Sequence, residues 1–164
     1  MNIVKFSDVN EKIITICGKK TIVDCDVAEL YGVETKEINQ AVKNNLKKFP
    51  AGYTIETSQE EKNELVKNFD RFMKLKHSTV CPTAFTEKGL YMLATILKGD
   101  KAIDTTLAII EAFAQLRELQ RTVAELSEAP NEFQQKSLML SFNIFALTRP
   151  PVATKLSLMG NIFG

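Results

Sequence analysis

The stretch from residue 24 to residue 45 constrains the fold more strongly than any other part of the sequence. Its first half carries an apolar stripe at helical spacing, formed by Val27, Leu30 and Tyr31. Asp26 and Glu29 have the spacing of a helix N-cap and the residue that reaches back to it. Gly32 can take a left-handed backbone without a Cβ clash, which ends a helix. The stretch therefore predicts a helix that begins at Asp26 and ends in a tight turn at Gly32.

The second half of this stretch predicts another helix. We expect Thr35 to cap it and its buried face to comprise Ile38, Ala41, Val42 and Leu46. Ala28 is small enough to lie where the two helices meet. Two helices joined by so short a turn are typical of a helix-turn-helix, in which the second helix can enter a DNA major groove. The alternative is a pair of core helices from an unrelated α domain.

Charge is distributed unevenly, although the whole chain has a formal net charge of +1. Residues 1–34 carry four lysines against six acids, whereas residues 35–76 carry nine lysines and arginines against six acids. Within the second segment, Lys43, Lys47 and Lys48 lie close together with no acid between them. A local basic patch favours contact with nucleic acid, and the alternative is an ordinary solvated face.

Short β-forming runs alternate with helical runs, so the sequence predicts an α+β fold. Residues 13–23 predict a small β-hairpin that leads into the helix pair, and residues 53–57 predict a strand. Ser58 and Glu61 form a capping box at the start of the next helix. Residues 72–81 are basic and irregular, and we expect a loop or β-ribbon beside the DNA there.

A long C-terminal helix is predicted to follow. Thr86 caps a helix that Gly99 ends, and a longer helix begins at Asp100. Its apolar positions are Ile103, Leu107, Ile110, Phe113 or Ala114, Leu116, Val123 and Leu126. Residues 117–126 are typical either of the start of a coiled coil or of a lone helix folded back on its own domain. Residues 127–131 are predicted to form a linker. The pattern of the apolar residues 132–164 does not distinguish a helix from a strand.

Catalytic and metal-binding chemistry find little support in the sequence. The cysteines are odd in number and lack CxxC spacing, and His77 is the only histidine. His77 and Cys81 are better explained as an incidental pair than as a base and nucleophile. We therefore expect no enzymatic activity, metal or cofactor. The thiols fit a cytoplasmic location, and no apolar run is long enough to span a membrane.

Several segments resemble the KilA-N-like DNA-binding domains of large DNA viruses, phages and prophages. They are residues 23–33, 41–45, 49–50, 82–93 and 110–117. The branch they resemble most is named after the N-terminal domain of a phage open reading frame six. The resemblance implies an N-terminal arm over residues 1–9, a DNA-binding domain over residues 10–118 and a tail of unknown role over residues 119–164. Asn45 and Lys48 depart from the family, which commonly has arginines there, and this weakens the expected phosphate contacts.

The outer face of the second helix supplies most of the predicted DNA contacts. Asparagine and glutamine can pair with adenine in the major groove, and lysine can contact guanine or phosphate. We expect the helix at residues 35–47 to read duplex DNA, with further contacts from basic residues of the irregular segment. The predicted contact residues are Thr35, Lys36, Asn39, Gln40, Lys43, Asn44, Lys47, Lys48, Lys74 and Lys76.

Two functions remain open on this basis. The first is a transcriptional regulator of phage or prophage type that binds double-stranded DNA as a homodimer. The dimer would pair through Leu116, Leu119, Val123 and Leu126 of the C-terminal helix. The second is an antirepressor-type module that binds a repressor protein instead of DNA.

Overall fold

A computed structural model describes residues 3–128 and 132–147. The described residues form two compact units. The first contains residues 12–106 together with Ile3 and Val4, and the second contains residues 5–11 and the described residues from Leu107 onward. The predicted N-terminal arm over residues 1–9 thus includes helical residues.

A four-stranded antiparallel sheet forms part of the first unit, with strand order β1-β2-β4-β3. The strands are β1 (Ile14–Ile16), β2 (Lys19–Val23), β3 (Thr54–Glu56) and β4 (Thr83–Thr86). Cys17 and Gly18 join β1 to β2, and both have positive φ values (50° and 72°), as a two-residue hairpin turn of this kind requires. The predicted hairpin and the predicted strand over residues 53–57 are confirmed.

The described residues also form seven helices. They are α1 (Phe6–Lys12), α2 (Asp24–Tyr31), α3 (Thr35–Asn44), α4 (Gln59–Asn68), α5 (Glu87–Ala94), α6 (Asp100–Glu128) and α7 (Glu132–Leu147). Two 3₁₀ segments lie in the connections between these elements. Leu46–Lys48 lies between α3 and β3, and Asp70–His77 lies between α4 and β4. The predicted α+β class is therefore confirmed, and so is the long helix that begins at Asp100.

One hydrophobic cluster of the first unit joins the sheet to α4 and the second 3₁₀ segment. Its buried residues are Ile14, Ile16, Val23, Leu65, Phe72 and Ala84. The alternation of buried and exposed residues in β1 places Ile14 and Ile16 on the core side and Thr15 on the solvent side. Burial of these apolar side chains contributes to the stability of this unit.

Two predicted helix caps are confirmed. The amide of Glu61 donates to Ser58 Oγ (3.1 Å), and the amide of Ser58 donates to Glu61 Oε2 (2.7 Å). Thr86 caps α5 by accepting a hydrogen bond from the amide of Gly89. However, α5 ends at Ala94 and not at Gly99, and the Thr95 hydroxyl donates to the carbonyl of Met92 (2.7 Å) at its last turn.

Two other predicted caps are wrong. The helix α2 starts two residues earlier than expected, after the extended residue Val23, so Asp26 is an internal residue of the helix. The helix α3 starts after the extended residue Glu34, so Thr35 is its first residue and not its cap. Glu37 Oε1 accepts a hydrogen bond from the amide of Glu34 (3.1 Å), which stabilises this start.

The end of α3 and the irregular segment also differ from expectation. The helix ends at Asn44, because Asn45 leaves the helical region (φ −131°, ψ 37°) and its side chain donates to the carbonyl of Ala41. Leu46 therefore lies in a 3₁₀ segment and is 68% exposed, which contradicts the prediction that it is buried. Residues 70–77 form 3₁₀ helix and not a β-ribbon, because Phe72 is fully buried and fixes the segment against the core.

The second unit contains most of α6 and all of α7. Its buried residues include Val9, Ala108, Ile109, Ala112, Phe113 and Leu116. Ile103, Leu107 and Ile110, three of the apolar positions identified for this helix in the sequence, are 44–59% exposed. Helical spacing identifies a stripe, but it does not decide which of two apolar stripes is buried.

The predicted linker and tail lie only partly within the described residues. Residues 127–128 belong to α6, and residues 132–147 form α7, which answers the choice between helix and strand for that part. Residues 129–131 and 148–164 lie outside the described residues. Among the described helices, none is both long enough and apolar enough to cross a lipid bilayer.

Candidate nucleic-acid interface

The helix α2 is held almost entirely inside the first unit. Its buried residues are Asp24, Asp26, Val27, Ala28, Leu30 and Tyr31. Asp26 pairs with Arg71 (Oδ2 to Nε, 3.0 Å) and with Lys12 (Oδ1 to Nζ, 3.6 Å). The Arg71 guanidinium also lies over the rings of Phe69 and Phe72, which fixes its position. These contacts anchor α2 to the second 3₁₀ segment.

The turn between α2 and α3 has the predicted conformation. Gly32 is left-handed (φ 68°, ψ 35°), and its amide donates to the carbonyl of Glu29 (3.1 Å). The amide of Val33 donates to the carbonyl of Ala28 (3.0 Å). This is the pattern that closes a helix end by satisfying its last carbonyl groups. The predicted left-handed glycine is confirmed, and Ala28 is 2% exposed, as expected for a residue inside the helix pair.

The first turns of α6 hold the C-terminal end of α2. Thr105 is fully buried, and its hydroxyl donates to the carbonyl of Leu30 (3.0 Å). The hydroxyl groups of Tyr31 and Thr106 are also hydrogen-bonded (3.0 Å). The side chain of Lys101 covers the space where a Cβ on Gly32 would lie. The turn is therefore braced by a helix that lies about 70 residues later in the sequence.

In contrast to α2, the helix α3 buries only one residue, Ile38. Lys36, Gln40 and Lys43 are exposed and recur at intervals of four and three residues, so they share one helical face. Asn44 is also exposed and accepts a hydrogen bond from Gln40 Nε2 (2.7 Å). The structure thus brings four of the predicted contact residues together on the outer side of this helix.

Three residues in the first half of α3 have polar partners or are partly covered. Lys36 forms an ion pair with Glu34 (2.6 Å), which partly neutralises the acid at the start of the helix. Thr35 is half-buried. Asn39 is also half-buried, and its Nδ2 donates to Asp24 Oδ2 (3.0 Å). Burial raises the pKa of Asp24, although the hydrogen bonds from Asn39 and two backbone amides oppose this effect.

The other predicted lysines lie on the two 3₁₀ segments. Lys47 and Lys48 are exposed on the segment that directly follows α3. Lys74 and Lys76 are exposed on the segment that packs on α4, so they do not belong to the face of α3.

Several residues that position α3 were not identified from the sequence. Lys12, Arg71 and Thr105 hold α2 from distant parts of the chain, and Asp24 links α2 to α3. The one available signal was the pair of acids, Asp24 and Asp26, beside the apolar stripe of Val27, Leu30 and Tyr31. Buried carboxylates need partners, so this pair indicated that cations or donors elsewhere in the chain would meet them.

The thiols of Cys17 and Cys25 both have raised pKa values. Burial raises the pKa of Cys25 to about 12, so its thiol is protonated at neutral pH and is a poor nucleophile. Hydrogen bonding to Glu61 raises the pKa of the Cys17 thiol. Over residues 3–128 and 132–147, no group of three or more metal-ligating side chains is clustered. The arrangement provides an exposed lysine and amide face on a braced helix.

Comparison with protein families identifies the part of the chain that contains this site. A family model described as ORF6N domain matches residues 11–96. The matched residues include the sheet, the helix pair and both 3₁₀ segments. Comparisons with curated proteins and with solved structures gave no significant match.

Proposed function

The chain belongs to the ORF6N domain family, a phage-associated family, and on that premise we propose that it binds double-stranded DNA and regulates transcription. The bound duplex would be read by α3 within a KilA-N-like helix-turn-helix. The match over residues 11–96 supports a shared domain, and the resemblance of the wider segment from residue 10 to 118 supports the same assignment.

The observation that carries this proposal is the contrast between the two helices of the pair. Six of the eight residues of α2 are buried, whereas α3 buries only Ile38 among its ten residues. Because α3 is fixed mainly through Ile38, the side of the helix that carries Lys36, Gln40, Lys43 and Asn44 is available to a partner. Its exposed residues are lysines and amides, which are the side chains suited to phosphates and base edges.

In the proposed complex, the exposed residues divide into two roles. Gln40 and Asn44 would meet base edges, with Lys43 beside them, and each well-placed base contact would discriminate by about 1–3 kcal/mol. Lys36 and Lys47 would contact phosphates. In the part of the chain that the structure describes, neither Lys43 nor Lys47 is held in an ion pair, so both are available to DNA. Lys48, Lys74 and Lys76 would add affinity without sequence preference.

We also propose that the protein acts as a homodimer. Leu119, Val123 and Leu126 are half-buried on α6. They follow Leu116, the last residue of this helix that is described as buried. Two-fold pairing through these residues would place two copies of α3 on half-sites about one DNA turn apart. Sedimentation of the wild-type protein and of a Val123→Lys variant tests the dimer, since a buried lysine pair would separate the subunits. A monomeric wild-type protein at tens of micromolar would contradict the dimer.

A second candidate function is an antirepressor-type module that binds a repressor protein. The specific observation in its favour is the exposed stripe of Ile103, Leu107 and Ile110 on α6. An apolar stripe at this spacing is suited to pairing with a helix of another protein. If this were the main activity, substitution of Leu107 would abolish repressor binding, while substitutions on α3 would not affect it.

The proposal is tested by measuring binding to a pool of random duplexes at two salt concentrations, followed by selection of the tightest-bound sequences. We expect binding that weakens with salt and a selected sequence preference. Lys47→Ala should weaken binding equally on all sequences and reduce the salt slope by about 1. Lys98→Ala, a substitution of an exposed lysine outside the interface, is the matched control. No binding by the wild-type protein at low salt would refute the proposal.

A further inference from the structure

One buried carboxylate touches the candidate reading helix directly. Asp24 is 5% exposed and lies at the start of α2. Its Oδ2 accepts hydrogen bonds from Asn39 Nδ2 of α3 (3.0 Å) and from the amide of Thr83 in β4 (3.3 Å). Its Oδ1 accepts from the amide of Cys25 (2.8 Å). A single side chain thus connects α2, α3 and the sheet.

The energetics of this cluster depend on all three donors. Burial of a carboxylate is unfavourable unless hydrogen bonds replace its lost hydration. Within residues 3–128 and 132–147, no cation pairs with Asp24, so neutral donors supply the compensation. Hydrogen bonds from neutral donors to a charged acceptor are stronger than those between two neutral groups. Asn39 is the only one of the three donors that belongs to α3.

The contact also restricts what Asn39 can do. Its Nδ2 is committed to Asp24 and its side chain is half-buried, whereas Gln40, the next residue, is exposed. A bidentate contact to adenine requires both the amide oxygen and the amide nitrogen. Nδ2 keeps a second hydrogen, but the bond to Asp24 holds the amide of this half-buried side chain against α2, which leaves it poorly placed for a bidentate base contact.

We propose that Asp24 and Asn39 are positioning residues that set the orientation of α3, and that Asn39 does not read a base. This inference rests on the proposed DNA-binding function and replaces the role expected for Asn39 from the sequence. The Asp24–Asn39 hydrogen bond fixes the rotation of α3 relative to the sheet, and this rotation determines which base edges Gln40 and Lys43 reach.

The test compares three variants with wild-type protein on a panel of duplexes. The panel contains the selected site and every version of it with one base pair changed. Asn39→Ala, Asp24→Asn and the double variant are each measured against it. Gln40→Ala serves as the reference for a base-reading residue, and Asn63→Ala serves as the control for an exposed asparagine on α4.

A positioning role predicts that Asn39→Ala weakens binding to all duplexes of the panel by a similar factor, about tenfold. Asp24→Asn should give the same uniform pattern, and the double variant should be no weaker than the weaker single variant, because both remove one shared interaction. Gln40→Ala should instead lose discrimination at one base pair. The inference is overturned if Asn39→Ala loses discrimination at one base pair, or if the losses of the two single variants are additive.

Amide hydrogen exchange of the DNA-free protein keeps the test decisive if Asp24→Asn fails to fold or if no duplex binds. In Asn39→Ala, we expect faster exchange in α3 than in wild-type protein, with unchanged exchange in α4. Unchanged protection of α3 would overturn the positioning role. Wild-type protein that binds no duplex, combined with the expected exchange difference, would refute the proposed function and leave the positioning of α3 by Asp24 established.

Discussion

The helices α3 and α4 are built alike and differ in what they present to solvent. Each has ten residues, and in each the third residue is a glutamate that accepts a hydrogen bond from the amide of the residue before the helix. Each carries a glutamine bonded to an asparagine four residues later, and each has a lysine at its ninth position. These residues are Gln40, Asn44 and Lys43 in α3, and Gln59, Asn63 and Lys67 in α4.

The difference lies in the charge of the exposed face. In α4, Glu60 and Glu64 are exposed, while Lys62 is 2% exposed and its ammonium donates to the carbonyl of Ser78. The solvent-facing charge of α4 is therefore mainly negative and would repel phosphate. In α3, Lys36 and Lys43 are exposed against Glu37 alone. Similar helix-forming sequences thus give one surface suited to DNA and one that is not.

The largest expected effect tests the apolar anchors of the two helices. Ile38 is fully buried in α3 and Leu65 is 6% exposed in α4. Ile38→Ala and Leu65→Ala should each lower the free energy of unfolding by about 2–5 kcal/mol, because each leaves a cavity. Urea unfolding measures this loss. In conditions where both variants remain folded, we expect Ile38→Ala to weaken DNA binding and Leu65→Ala to leave it unchanged. An equal effect on binding would contradict the functional contrast between α3 and α4.

The turn before α3 has no counterpart before α4, and it supplies the next prediction. Gly32→Val should lower the free energy of unfolding by more than the ~1–2 kcal/mol typical of a left-handed residue with a Cβ. The added side chain would also displace the end of Lys101. Thermal unfolding is the measurement, and Gly32→Asn is the control, because asparagine tolerates this backbone better. Equal stability of the two variants would contradict the argument.

Substitutions at the starts of the two helices should have a smaller effect on stability, and here α4 should be the more sensitive helix. Ser58 accepts the hydrogen bond that caps α4, whereas Thr35 is the first residue of α3 and does not cap it. Ser58→Ala should therefore cost about 1 kcal/mol of stability. Thr35→Ala should change the stability by only a few tenths of a kcal/mol, since surface substitutions away from caps are usually close to neutral (roughly ±0.5 kcal/mol). A larger loss for Thr35→Ala, measured by urea unfolding, would restore the cap predicted from the sequence.

Local signals in the sequence were sufficient for several of these elements. The hairpin, the left-handed Gly32 and the Ser58 cap each depend on residues within a few positions of one another. Asp26 was misassigned because its partners, Lys12 and Arg71, are distant in the sequence. A cap and a buried ion-pairing acid have the same local pattern, and only tertiary contacts distinguish them.

The candidate face was predictable to a similar extent. Helical periodicity placed Lys36, Gln40 and Lys43 on one side of α3, as the structure has them. Periodicity did not reveal that Asn39 turns toward Asp24, because that contact depends on the crossing of α2 and α3. The exposed position of Leu46 was also missed, since the helix ends at the backbone of Asn45 and not at a glycine or proline.

The most direct test of the central claim is the salt dependence of DNA binding for Lys43→Ala and Lys67→Ala. Both lysines are exposed at the ninth position of a ten-residue helix, so the two variants differ only in which helix loses its charge. Fluorescence anisotropy with the selected duplex should show weaker binding for Lys43→Ala, by about 1–3 kcal/mol if the lysine meets a base or a salt slope lower by about 1 if it meets a phosphate. Lys67→Ala should bind as the wild-type protein does. Equal binding by the two variants would contradict the claim that α3 is the surface that meets DNA.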